Sequence, residues 1–262
     1  MALTLTVLGG SAAWPNAGQG CSAYIVGDGT TTILLDCGPN TLLELRKHVD
    51  YTAVDAIVIS HCHADHILDL VPYRYGLIYG PAGSRRRIPV WLPPGGLLRM
   101  EMLGGAFAGQ GEPQLSFWEP AFDMAEYQPE LGLTLGDLRL SFAATQHYIE
   151  CFAMRVQGSE GAALLYSSDT GAIEPLMELV AGVGVGVVIA EATLESGDER
   201  PAAERGHMTP DDAARLAAAA GAHTLVVTHL WSERPDAVVE REATEHFNGR
   251  VVIAKPGLRV DA

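Results

Sequence analysis

The stretch Ser60-His61-Cys62-His63-Ala64-Asp65-His66 follows directly on the apolar run Ala56-Ile57-Val58-Ile59. Three imidazoles and a carboxylate fall within six residues, where a buried strand gives way to a loop. Neither a strand nor an ordinary surface loop calls for such a cluster. A divalent metal does, because neutral imidazole and carboxylate are its standard ligands. The fold must then present this strand end to a site that other segments also reach. The spacing points to two ions: His61 and His63 can turn to one, Asp65 and His66 to its neighbour.

Further ligands must come from far along the chain, each held on a rigid element. His147 follows the run Leu138–Thr145, Asp169 follows Ala163–Ser168, and His229 follows Thr224–Thr228. Each lies just past a strand-like segment, as His61 does, and ligands commonly gather at the carboxyl ends of strands. The set is then seven. His61, His63 and His147 serve one metal, Asp65, His66 and His229 the other, and Asp169 can bridge them.

With this set the chain resembles the metallo-β-lactamase superfamily, whose signature is the His-x-His-x-Asp-His motif followed by a His, an Asp and a His in that order. The likeness runs from Leu3 through His229. Within the superfamily it is similar to the RNase Z branch, which processes the 3′ ends of transfer RNA. That branch carries a Glu-Ala-Thr motif, here Glu191-Ala192-Thr193, and a Gly-His-Ser-Thr motif, here Gly206-His207-Met208-Thr209. Leu8-Gly9-Gly10-Ser11, the Pro15 loop and Leu35-Asp36-Cys37-Gly38 share the likeness. One feature of the branch is missing. RNase Z enzymes insert a long arm that grips transfer RNA between the third-motif His and the bridging Asp. Here only 21 residues separate His147 from Asp169, enough for two strands and a turn.

The resemblance implies an αββα sandwich, metals at one edge between the sheets, and a homodimer. It also implies a relay in which Glu191 orients His207 and His207 protonates a leaving alkoxide. The structural alternative for Glu191, a strand-end carboxylate, is a capping or salt-bridge role. Zinc suits the His-rich set, and manganese or iron also accept it.

Charge narrows the substrate. Seventeen Lys and Arg against 32 Asp and Glu give a formal net charge of −15. Nucleic-acid binders draw most of their affinity from phosphate contacts through a basic footprint. The one dense basic cluster, Arg85-Arg86-Arg87, reads as a solvated turn. A long nucleic acid is disfavoured, and a small anionic phosphodiester of cyclic-nucleotide or short-oligonucleotide type fits. The four cysteines form no Cys-x-x-Cys pair, so a structural zinc ribbon is not expected. Cys62 reads as a packing residue between two ligands. There is no secretory pattern after Met1 and no apolar run of membrane-spanning length, so a cytoplasmic enzyme with free thiols is expected.

A chain of 262 residues, 48% hydrophobic and without a linker-like stretch, reads as one domain over 1–262. Strands are expected at Leu3–Leu8, Ala23–Val26, Thr31–Leu35 and Ile88–Leu92, mainly strands over 121–168, then Val185–Ala190, Leu225–Thr228 and a closing Val251–Ala254. Helices are expected at Thr41–His48, Ile67–Ile78, Gly96–Phe107, Ile173–Val180, Asp211–Ala220 and Asp236–His246. This is a mixed α/β pattern (α+β in part) of two similar halves. Thr209 can cap the helix from Asp211, with Pro210 at its first position and Gly221 at its exit. His48, His223 and His246 read as structural or solvated. The helix Ile67–Ile78 and the segment Gly104–Trp118 are candidates to line the substrate entrance.

The expected chemistry is hydrolysis by metal-bound hydroxide, with Asp65 orienting the water and receiving its proton. The alternatives are an RNase Z-like nuclease on transfer RNA and a hydrolase of a lactone, thioester or β-lactam. A module that keeps a metal for stability alone leaves Glu191 and His207 unexplained.

Overall fold

Val187-Val188-Ile189-Ala190 and Leu225-Val226-Val227 are apolar at every position, which a strand tolerates only when both of its faces are buried. The computed structural model describes residues 3–81, 86–109, 114–198, 200–201 and 204–262. In it these strands are covered on both sides. Val187, Ile189 and Val226 join a central core with Leu5, Val7 and Ile33. Val188, Ala190, Leu225 and Val227 join an outer core with Ala213, Leu216 and Val239. Leu34, Ile57 and Ile59 face a third core with Leu70, Tyr73 and Trp118. Three apolar layers separate four layers of secondary structure, which is the αββα sandwich.

The first sheet contains β1 (Thr4–Ser11), β2 (Gly20–Cys21), β3 (Ala23–Gly27), β4 (Thr32–Leu35), β5 (Ala56–Val58), β6 (Ile88–Leu92) and β7 (Phe122–Glu126). The second contains β8 (Leu133–Leu135), β9 (Leu138–Ala144), β10 (Phe152–Gln157), β11 (Ala163–Tyr166), β12 (Val187–Glu191), β13 (Thr224–Thr228) and β14 (Arg250–Ile253). The two halves repeat one plan. Each opens with antiparallel pairs, β1-β3-β4 and β8-β9-β10-β11. Each then adds parallel strands, β5 to β7 beside β4 and β12 to β14 beside β11.

Helices α1 (Thr41–Leu45), α2 (Ala64–Ile67), α3 (Leu70–Tyr79) and α4 (Gly96–Gly105) belong to the first half, and α5 (Met177–Val180), α6 (Pro210–Ala219) and α7 (Asp236–Thr244) to the second. Thr209 and Asp212 form a reciprocal capping box at the start of α6, with Pro210 at its first position. Gly221 follows its end with φ 65°.

Three expectations change. The single helix over Ile67–Ile78 is two, broken around Leu68–Asp69. The amide of Cys37 donates to the carbonyl of His66, and the amide of Asp69 donates to the carbonyl of Cys37. These bonds draw the backbone away from a continuous helical ladder. The chain does not close at Ala254: β15 (Arg259–Asp261) returns to the first sheet antiparallel to β1, with Val260 in the central core. Trp118 does not line an entrance. It is 1% exposed in the third core, its indole N–H donating to the carbonyl of Met100. Leu70, Tyr73 and Leu77 of α3 are buried in the same core.

Burial in the central layer sets the expected stability pattern. Ile189→Ala, at a position with no exposure, is expected to lose about 2–5 kcal/mol in urea unfolding. Leu131→Ala, 75% exposed, is expected to stay within about 0.5 kcal/mol of the parent.

Candidate metal centre

Six segments end at one edge of the sandwich, and each delivers a side chain there. Asp36 follows β4, His61 follows β5, His147 follows β9, Asp169 follows β11, Glu191 ends β12 and His229 follows β13. The edges of the two sheets are stitched together here. His61 and Cys151 form an isolated bridge, the amide of Phe152 donates to the carbonyl of Ser60, and Tyr24 Oη lies 2.6 Å from Thr228 Oγ1. His63 is the N-cap of α2, and Asp65 and His66 lie in its single turn.

The potential ligand atoms converge. Those of His61, His63, His147 and Asp169 lie within 4.8 Å of one another, as do those of Asp65, His66 and His229. Asp169, Oδ1 and Oδ2 together, faces both groups. Oδ2 is 3.6 Å from His61 Nε2, 3.7 Å from His147 Nε2 and 3.5 Å from His229 Nε2, while Oδ1 is 3.6 Å from His66 Nε2. The structure thus brings together all seven residues singled out in the sequence. Asp169, His207 and His229 form a third such group.

The hydrogen bonds on the far side of each ring decide which nitrogen faces inward. His147 Nδ1–H donates to the carbonyl of Gly206 at 2.8 Å, so its Nε2 carries the lone pair. His66 Nδ1 donates to Asp36 Oδ2 at 2.7 Å. His229 Nδ1 donates to Thr193 Oγ1 at 2.7 Å, and that hydroxyl donates on to Glu191 Oε2 at 2.8 Å. His61 Nδ1 pairs with Ser60 Oγ at 3.0 Å. Such partners fix tautomer and ring orientation at a metal site. On the inner side, His63 Nδ1 lies 3.1 Å from His61 Nε2 and 3.0 Å from His147 Nε2. Three ring nitrogens meeting this closely suit a shared cation. Among the described residues His66 Nε2, fully buried, has no hydrogen-bond partner. An orphaned buried nitrogen is costly alone and favourable as a ligand. The residues fit a metal ion.

Electrostatics agree. Burial holds the imidazoles of His61, His63 and His147 below their ordinary pKa, and at His61 the neighbouring His66 adds to it. They stand neutral, as ligands must. At His66 burial pulls the same way, but the carboxylates of Asp169 and then Asp36 outweigh it and raise the pKa well above the ordinary value. A proton on His66 and a cation beside it satisfy the same carboxylates, so the two compete. Asp65 goes down despite burial, through the His229 ring beside it and the charge of His66. Its Oδ2 also accepts from the amide of Ala13 at 2.9 Å.

His207 and Glu191 meet beside this cluster, Nδ1 to Oε1 at 3.0 Å. The His207 ring stacks on His229 with centroids 5.4 Å apart and stands edge-on to His147 at 5.1 Å. Burial would lower its pKa, but the Glu191 charge and hydrogen bond lift it to about 9. Glu191 also accepts from the amides of Thr170 and Thr193, so the strand-end carboxylate is both structurally satisfied and turned to His207.

Cys62 packs against the outer core of the first sheet. His48 bonds Glu44, His223 bonds Thr224, and His246 lies 3.9 Å from Asp211. Arg86 pairs with Asp55 and Arg87 with Asp123, at the amino end of β6 and so at the opposite edge from the cluster. Arg85 lies outside the described residues. Asp36 and Thr193 are supporting residues that the sequence does not single out. Their only signal is their position in motifs, since the partners of Asp36 lie 24 to 130 residues away and the His229 ring that Thr193 meets lies 36 away.

Removing the support behind one ligand is the direct check. Asp36→Asn, which weakens the grip on His66 and Ser60, is expected to lower metal affinity about 10–100-fold, read by competition with a chelating dye. Circular dichroism of the same samples reports folding.

Residues 31–230 match the Beta-lactamase superfamily domain. The chain is 28% identical over 269 residues to the probable metallo-hydrolase YhfI of Bacillus subtilis, covering 97% of this chain and 98% of that protein. The crystal structure of YhfI, a metallo-beta-lactamase fold protein, aligns at a TM-score of 0.87 and 25% identity over the whole of both chains. Ribonuclease Z of Haloarcula marismortui is 24% identical over 302 residues, 98% of this chain and 96% of that one. A diphosphatase of the PhnP family shares the fold at a TM-score of 0.73 and 21% identity, over 100% of this chain and 98% of that one. With the family match spanning most of its length and the ligand cluster at the sheet edge, the chain belongs to the β-lactamase superfamily and is a metallo-hydrolase of that fold.

Proposed function

We propose that the chain is a metal-dependent phosphodiesterase that hydrolyses a small diester. His61, His63 and His147 would hold one divalent ion, Asp65, His66 and His229 a second, with Asp169 facing both. The imidazole-rich donor set suits zinc. When bound, the ions lower the pKa of water and offset the negative charge that develops on the phosphoryl group.

The observation that carries the reading is the Glu191–His207 pair. Glu191 engages Nδ1 of His207 and raises its pKa to about 9. At neutral pH His207 therefore carries a proton beside the ligand cluster, with Nε2 as the atom to deliver it. An alkoxide leaving a phosphodiester needs that proton, whereas the leaving groups of activated carbonyl esters need it far less. Asp65, held by the Ala13 amide, orients the attacking water and takes up its proton.

A ribonuclease reading draws on the Ribonuclease Z relatives. The net charge of −15 counts against it, as does the interval after His147, which β10, β11 and their turn occupy. Binding of transfer RNA that weakens steeply with added salt would favour it.

The leaving group separates the readings. Asp65→Ala is expected to abolish turnover of bis(p-nitrophenyl) phosphate. His207→Ala is expected to lower kcat about 10²–10⁴-fold on a diester with an alkyl leaving group, and much less on the nitrophenyl ester. Equal losses on both would remove His207 from the acid role. Because protonated His207 is the active form, kcat should fall as pH rises through about 9. Glu191→Gln removes the charge that raises this pKa, so the alkaline limb should move to lower pH.

A further inference from the structure

Trp14 and Trp231 stack with ring centroids 5.5 Å apart and planes 12° apart. Trp14 is 50% exposed. An exposed tryptophan leaves a large apolar face in water, and one that is also rigidly held calls for a partner. This pair is rigidly held. Trp231 Nε1–H donates to the carbonyl of Ala12 at 3.1 Å. The Asn16 side chain clamps the two segments, donating to the carbonyl of Leu230 at 2.9 Å and accepting from the amide of Ser232 at 3.0 Å.

The same two segments reach the ligand cluster. Ala13, held at φ 57°, donates its amide to Asp65 Oδ2 at 2.9 Å. Trp231 lies two residues after His229. Backbone and side-chain dimensions then keep the Trp14 ring within about 12 Å of the Asp65 carboxylate, a span that one nucleoside covers. A flat, uncharged indole face stacks planar rings with little regard to their edges. The acidic chain offers a long polyanion little, so a single base fits better than a strand.

Resting on the phosphodiesterase reading above, we infer that the Trp14–Trp231 stack is the platform for a nucleobase and that the substrate is a nucleoside phosphodiester. Thymidine 5′-(p-nitrophenyl phosphate) and methyl p-nitrophenyl phosphate share a leaving group and differ in the base-bearing part. The metal-loaded protein should prefer the first in kcat/KM by roughly ten- to a hundredfold, the size of one base stack. Trp14→Ala should bring that ratio towards one, and Trp14→Phe should retain most of it. Independently of turnover, adenosine 5′-monophosphate should quench tryptophan emission where ribose 5-phosphate does not. A ratio unchanged in Trp14→Ala, or equal response to the two monophosphates, overturns the assignment. If neither ester is hydrolysed, the phosphodiesterase reading fails, and the quenching comparison still decides the platform. If Trp14→Ala instead splits a dimer in sedimentation with the substrate ratio intact, the pair joins two copies of the chain and the proposal is wrong.

Discussion

The carboxylate of Asp36 has no exposure to solvent and accepts four hydrogen bonds. The amide of Ser60 reaches Oδ1 at 2.7 Å, and Ser60 Oγ, His66 Nδ1 and Tyr166 Oη reach Oδ2 at 2.8, 2.7 and 2.7 Å. Moving a carboxylate out of water costs several kcal/mol. Bonds to a charged acceptor return about 1.5–3 kcal/mol each, so four of them offset this burial. Their origins matter as much as their number. Ser60 precedes the first candidate ligand, His66 is another, and Tyr166 comes from the other sheet. One buried charge thereby joins the two halves of the sandwich and sets the orientation of His66.

Backbone conformation shows how tightly this edge is specified. Among the described residues, five non-glycine positions have positive φ, and four of them, Ala13, Asp36, Ser168 and His229, border the ligand cluster. Each costs roughly 1–3 kcal/mol of conformational strain. Strain of that size persists only where surrounding contacts fix the conformation, and here the contacts are the ligand supports themselves. At Gly38 a side chain has no room at all, since a Cβ would stand 1.9 Å from the carbonyl oxygen of Asp65. Its loop is pressed against α2, which carries Asp65 and His66. The apolar layers make this precision possible, because close-packed strands transmit position from the cores to their carboxyl ends.

Much of this was legible in the sequence, for identifiable reasons. The seven ligand candidates could be found because four crowd into one short motif and the other three each follow an apolar run long enough to read as a strand. The capping box at Thr209 announces itself within four residues. Other features lack a local signal. Asp36 draws partners from 24, 30 and 130 residues away, and no window of the sequence contains them. The break at Asp69 arises because the loop at Cys37 captures backbone groups that a helix would use, while the apolar spacing on either side continues. β15 has one buried residue, Val260, so alternation cannot reveal it. The pairing of Trp14 with Trp231 is a tertiary contact across 217 positions.

Ring nitrogens aimed inward by bonds on their outer side, a carboxylate between two groups of donors and a protonated histidine beside them all fit the proposed two-metal centre. That proposal calls for cations on both sides of Asp169. Anomalous diffraction from crystals of zinc-loaded protein, recorded above and below the zinc edge, tests this without recourse to any substrate. The account predicts two peaks, one among His61, His63 and His147 and one among Asp65, His66 and His229, with Asp169 between them. A single peak at full loading, or zinc bound away from this cluster, would contradict it.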